Sequence, residues 1–185
     1  MDAIDEDVAH LNSQVLLLAS DPDEGDRLMQ LLGAHPLVIK RIAAAGSKAV
    51  GTAIRCGVPL VTFSSRLEEA LLTQASESGG SAGRDVPMSL RALARDTLQM
   101  AQRLAFIDRT VAQLHFGLTT RACEGLMRLS VHRMVRLTER HGVLLTLRAA
   151  EKVKVWDRLL IGDRCSGPLG FRISQQAALL SLGND

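Results

Sequence analysis

The chain has 185 residues, with 22 Lys and Arg against 20 Asp and Glu, 46% hydrophobic residues and only 3% aromatic. That length admits one domain or two small ones, and the apolar fraction excludes wholesale disorder. The longest apolar run, Val15 to Ala19, is far below the roughly 18 residues of a membrane span, and no basic n-region precedes an apolar stretch as in a secretory signal. Five aromatics (Phe63, Phe106, Phe116, Trp156 and Phe171) are too few for the base-stacking surfaces that bind single-stranded RNA.

The net charge of +2 is a cancellation. Residues 1–26 carry eight acidic groups and no Lys or Arg, a net of −8; residues 27–83 carry +3 and residues 84–185 carry +7. Eighteen of the 22 cations are Arg, whose planar fork suits bidentate phosphate or carboxylate contact. An acidic start ahead of a basic second half points to an anionic partner, with nucleic acid the first candidate and a merely solvated basic surface the alternative.

In chain order, Val15 to Ala19 followed by Asp21, Asp23 and Glu24 imitates the first strand and acidic pocket of a response-regulator receiver. No Asp occurs between Asp26 and Asp85, so the phospho-accepting residue of a receiver is missing. Next, His35-Pro36 opens a helix with Val38, Ile39 and Ile42 on its apolar face, Gly46-Ser47 makes a turn, and a second helix ends at Cys56-Gly57. Val58 to Phe63 is a short extended run. Gly46 to Thr52 has the glycine spacing of a phosphate loop, but Thr52 stands where the phosphate-binding Lys belongs and no strand precedes it, so nucleotide binding is rejected. Ala75 to Gly83 is a flexible linker by composition.

The pattern then recurs. Thr119 or Thr120 caps a helix with Ala122, Cys123, Leu126, Met127 and Leu129 apolar. Ser130 caps a second helix to His141 whose buried face is Val131, Met134, Val135 and Thr138, with Leu137 at its margin. Gly142 sits where a left-handed C-cap is wanted, and Val143 to Leu147 reads as a strand. Two short helices on a tight turn are the helix-turn-helix signature. Arg133, Arg136 and Arg140 form one stripe on its second helix, and Arg121, Glu124 and Arg128 the outer face of the first. Such faces can touch phosphates and base edges, and equally fit a solvated surface or salt bridges to a protein. Gly33 corresponds to Gly117, Gly57 to Gly142 and Val15–Ala19 to Thr97–Ala101. The reading is two degenerate repeats of about 60 to 70 residues, each too small to bury a robust core alone.

Cys56, Cys123 and Cys165 include no C-x-x-C pair, which reads as a reduced, cytoplasmic chain. Cys123 is a small core residue, and Cys165, beside Arg164, is a loop cysteine or a reactive thiol. The five His show no metal-ligand spacing, so no metal and no cofactor are assigned. No nucleophile–base or paired-carboxylate set stands out, so the expectation is a protein that is not an enzyme.

The stretches Leu98 to Asp108 (LQMAQRLAFID), Phe116-Gly117-Leu118, Leu129-Ser130 through Met134 to Leu137, and Leu144 to Arg148 resemble the bacterial flagellar transcriptional activator FlhD family. Their order and spacing match that family over about residues 90–160, and Leu11 to Ala19 is the best stretch of a more diverged N-terminal copy. The resemblance implies an all-α, multihelical fold containing a helix-turn-helix and a short strand after each helix pair. It divides the chain into an FlhD-like repeat at 1–75, a linker at 76–88, a second repeat at 89–160 and a C-terminal tail at 161–185, helical or not. It implies an interlocked dimer, or an intrachain pseudo-dimer because the chain is doubled, and partnership with an FlhC-like zinc-binding subunit on promoter DNA. The regulated genes are then flagellar or carried by conjugative elements. On this reading Arg121, Arg128, Arg133, Arg136, Arg140, Arg164 and Arg172 lie near DNA. A cysteine that bridges subunits in some members aligns with Leu145 and Leu60, so no such bridge is expected. The competing reading is a module that binds only protein.

Overall fold

The structure, a computed structural model, describes residues 3–73, 85–141 and 143–161. It is mostly helical. In the first half come α1 (Ala3–Ala19), α2 (Gly25–Leu31), α3 (Pro36–Ala43), α4 (Ser47–Ile54), β1 (Val61–Phe63) and α5 (Arg66–Thr73). In the second come α6 (Met88–Ile107), α7 (Arg109–Phe116), α8 (Thr120–Met127), α9 (Val131–Arg140), β2 (Leu145–Leu147) and α10 (Val153–Ile161). Among the described residues no helix is long and apolar enough to cross a membrane.

The same order, four helices, a strand and a helix, thus occurs twice. From Pro36 to Thr120, Ser47 to Val131 and Val61 to Leu145 the offset is 84 positions each time. Gly33 and Gly117, also 84 apart, both adopt left-handed backbone, with φ of 79° and 64°, the conformation only glycine takes without strain. The long first helix of each half buries one stripe at three- and four-residue spacing: Val8, Leu11, Asn12, Val15, Leu16 and Ala19 in α1, and Leu90, Leu93, Ala94, Thr97, Leu98 and Ala101 in α6. Asp5 and Glu6 sit in the first turn of α1 and Asp26 in that of α2, where the helix dipole favours negative charge. Asp21 accepts the N–H groups of Asp23 and Glu24 at 2.9 and 3.0 Å, which closes the α1–α2 turn and holds its carboxyl below the usual range.

The described residues divide into two compact units, one of 3–61 with 147–161 and one of 62–146. The stretches 1–75 and 89–160 are therefore not each a unit. In the first unit α1 packs on α2, α3 and α4, and α10, from the far end of the chain, packs on α3 and α4. In the second, α6 packs on α7, α8 and α9, and α5, from the first half, packs on α8. The helix after each strand thus joins the helices of the other half. The strands are paired. Arg148 N–H donates to the Leu60 carbonyl and Ser64 N–H to the Leu144 carbonyl, both at 2.8 Å; one partner number falls as the other rises, so the pairing is antiparallel.

Each unit has its own polar fastening. In the first, the Asn12 side chain is fully buried on α1. Its Nδ2 donates to the Val58 and Ile54 carbonyls at 3.0 and 3.2 Å, and its Oδ1 accepts from Leu60 N–H at 2.7 Å. One amide thereby satisfies three backbone groups at the end of α4 and in the loop that leads to β1. Cys56 Sγ donates to the Val58 carbonyl at 3.1 Å, and Arg148 Nε to the Pro59 carbonyl at 3.1 Å. Burial pushes the Cys56 thiol up and brings the Arg148 guanidinium down to about 10.

Candidate nucleic-acid interface

Helices α8 and α9 of the second unit are set by local chemistry. Asp108 caps α7, accepting from Thr110 and Val111 N–H at 2.8 and 3.1 Å, and Gly117 ends it in the left-handed conformation. Of the two candidate caps for α8, Thr119 serves, accepting from Ala122 N–H at 3.1 Å; its hydroxyl also donates to the Glu68 carboxylate. Ser130 caps α9, accepting from Arg133 N–H at 3.3 Å. The buried face of α8 is Ala122, Cys123 and Leu126, and burial raises the Cys123 thiol.

The turn between the two helices is pinned by Gln102 of α6. Its Nε2 donates to the carbonyls of Leu126 and Leu129 at 2.6 and 2.7 Å, so the two amide protons tie the last turn of α8 to the turn that precedes α9. Close packing adds to this. A Cβ built on Gly125 of α8 would stand 3.2 Å from Leu71 Cδ1 of α5.

On α9 the buried residues are Met134, Leu137 and Thr138. This corrects two expectations. Leu137 is at the centre of the buried face, 1% exposed, whereas Val131 is 63% exposed and Val135 only half-buried. Val131 is one turn before Met134 on the same stripe, but it is the first residue of the helix and the described residues of the unit leave it exposed. The correction leaves the arginines in place: Arg133, Arg136 and Arg140 are all exposed. At 100° per residue they fall within about 60° of one another. Arg121 of α8 and Arg128, the residue that caps its C-terminal end, are exposed as well and share a face with Glu124, whose carboxylate lies 3.9 Å from Arg109.

Charge in this unit is concentrated here. Over the described residues 62–146 there are ten Arg and seven acidic groups; outside residues 120–140 the tally is five against five. Residues 120–140 therefore hold the whole surplus, five Arg against Glu124 and Glu139. His141, just after α9, has its proton affinity lowered by burial and by Arg140, with Glu69 opposing.

Five of the seven arginines expected near DNA, Arg121, Arg128, Arg133, Arg136 and Arg140, thus lie on one helix pair. Arg164 and Arg172, together with Cys165, the Gly142 cap, the 161–185 tail beyond Ile161 and the Ala75–Gly83 linker, lie outside the described residues. Gln102 carries no signal in its sequence surroundings: its role depends on a turn 24 and 27 positions away. Among the described residues no group of three or more His, Cys, Asp and Glu is arranged to hold a metal ion. Comparison with protein-family models, with curated proteins and with solved structures finds no match to this chain.

Proposed function

We propose that the chain is an FlhD-like transcriptional activator subunit, built from two tandem repeats, that binds promoter DNA in a heteromeric complex with an FlhC-like zinc-binding subunit and turns on flagellar or related genes. The observation that carries the reading is the exposed Arg133, Arg136 and Arg140 stripe on α9, the second helix of a capped and pinned helix-turn-helix. A helix of that kind enters the major groove, while the partner helix contacts the backbone. Arg121 and Arg128 on α8 fit the second role. The common 84-residue offset and the paired left-handed glycines support the tandem-repeat part of the reading. The exchange of α5 and α10 between the two units supports a chain that acts as its own pseudo-dimer.

If all five arginines meet phosphates, binding weakens with salt at a log–log slope of about −4 to −5. The test is retention of the full chain on duplex DNA over a salt series, alone and with an FlhC-like partner. Retention lost in an Arg133/Arg136/Arg140→Ala variant is the expected result; unchanged retention removes these residues from the site. One observation favours the second reading, a protein-only module. Phe106, Ile107 and Leu114 are 61%, 73% and 51% exposed on α6 and α7, and exposed apolar side chains of that size suit a protein contact. Partner capture without any DNA retention would establish that reading instead.

A further inference from the structure

We infer that the two helix pairs divide the work: α8 and α9 face the duplex while α3 and α4 serve as packing, so that one chain reads a single, non-palindromic half-site. The inference rests on the DNA reading above and goes beyond it by assigning the contact to one unit. At the 84-residue offset, Arg133, Arg136 and Arg140 correspond to Ala49, Thr52 and Cys56. None is charged. Ala49 and Thr52 are half-buried, and Cys56 is buried with its thiol donated to the Val58 carbonyl.

Exposure separates the helices independently of charge. Along α4 only Ser47 and Lys48 are exposed, whereas α9 exposes Val131, His132, Arg133, Arg136, Glu139 and Arg140. The cause is in the first unit itself: α10 lies on both α3 and α4 and buries Trp156, Leu159 and Leu160 there. Its Asp157 also takes Arg41 of α3 in a 2.9 Å ion pair, which neutralises one of that pair's cations. In the second unit α5, the corresponding helix, packs on α8 and leaves the outer face of α9 open. A helix can enter a major groove only if one side along its length is free of its own protein. That condition is met by α9 and fails for α4. Two such pairs in one chain would fit a palindrome; one pair fits half of it.

The experiment compares two full-length variants with equal charge loss. Arg133/Arg136/Arg140→Ala removes three cations from α9, and Lys40/Lys48/Arg55→Ala removes three from α3, α4 and the residue after α4; all six residues are exposed, and circular dichroism confirms that both variants fold. Retention on labelled duplexes of about 12 and about 24 base pairs, one and two helical turns, is measured against salt. The expected result is that the α9 variant loses at least tenfold in affinity and flattens the salt slope by about three. The α3/α4 variant loses less than threefold with its slope unchanged, and the longer duplex holds two chains where the shorter holds one. Equal losses in the two variants, or one chain filling the longer duplex, overturn the division of labour while leaving DNA binding intact. Wild-type chain without salt-dependent retention, alone or with its partner, overturns the DNA reading itself and this inference with it.

Discussion

Replacement of Asn12 tests the account of the first unit most sharply, because one side chain answers for three backbone groups. Asn12→Ala leaves Leu60 N–H, now bonded at 2.7 Å, without an acceptor in a site where every neighbour from Cys56 to Val61 is buried. An orphaned buried donor costs about 1–3 kcal/mol. The Ile54 carbonyl also loses its Nδ2 partner, while the Val58 carbonyl keeps the Cys56 thiol, so the loss there is partial. Together with the small cavity, the expected destabilisation is about 2–4 kcal/mol. Asn12→Asp separates this from simple loss of volume. The carboxylate keeps the acceptor for Leu60 but turns an oxygen towards two carbonyls that Nδ2 now serves. Its folded-state pKa is therefore raised above the unfolded value of about 3.9. Stability is then greatest at acid pH and is lost as pH rises through that raised pKa. Urea unfolding followed by the fluorescence of Trp156, the chain's only Trp and fully buried in this unit, reads both variants. A change below about 0.5 kcal/mol in Asn12→Ala, the range of an ordinary surface substitution, or a pH-independent Asn12→Asp variant, refutes the fastening role.

The second unit offers three further tests. Gln102→Ala removes two hydrogen bonds from the α8–α9 turn at a half-buried position; the expected cost is about 1–2 kcal/mol, with weaker DNA retention than wild type under conditions where the variant remains folded. Gly117→Ala has room, since the nearest atom to a new Cβ is Thr62 Cβ at 3.8 Å, but holds φ at 64°; the expected loss is about 1–2 kcal/mol of purely conformational origin, read as a lower urea midpoint with unchanged slope. His141 binds its proton less readily in the folded chain than the free side chain does, chiefly through burial. Stability therefore falls as pH drops below about 6.5 and towards the lower folded value, and His141→Gln should flatten that limb of a pH–stability profile; an unchanged profile removes His141 as its source.

What the sequence made legible follows the range of the physics. Signals confined to a few residues are legible: the helix opening at His35-Pro36, Thr119 as one of two candidate caps, Ser130 opening α9, the equivalence of Gly33 and Gly117, and the exposure of the Arg stripe from its phase against Met134. The helix faces were legible for α3 and α8, where several neighbours cover the stripe, and less so for α9. Periodicity gives the angle of Val131 but not where its neighbours end. The sequence reading assigns no helix at α1, α2, α5, α6, α7 or α10, and the last of these packs on α3 and α4. An amphipathic stripe in α10 shows that Trp156 and Leu159 seek cover, yet it carries no address for the partner, which is encoded by shape complementarity with α3 and α4 more than 100 positions away.

The same distinction explains why the two halves keep one spacing and differ in surface chemistry. The 84-residue offset runs through the parts whose length is dictated by backbone hydrogen bonding: the glycine that ends one helix, the cap that starts the next, the turn and the strand. A residue inserted there would shift every buried position by about 100° in a helix or reverse its face in a strand. Outer faces carry no such constraint. They are set by what covers them, and the two covering helices differ: α10 brings Trp156, Leu159 and Leu160 against α3 and α4, whereas α5 packs on α8. Where the cover is broad, an Arg at the half-buried position 49 or 52 would lose part of its hydration. Where it is narrow, the equivalent positions stay in water and can hold Arg133 and Arg136 at little cost in stability. The Arg133, Arg136 and Arg140 stripe thus lies on the helix that the described residues leave exposed, while the cations of the first pair, Lys40, Arg41, Lys48 and Arg55, stand at other positions than its equivalents Ala49, Thr52 and Cys56.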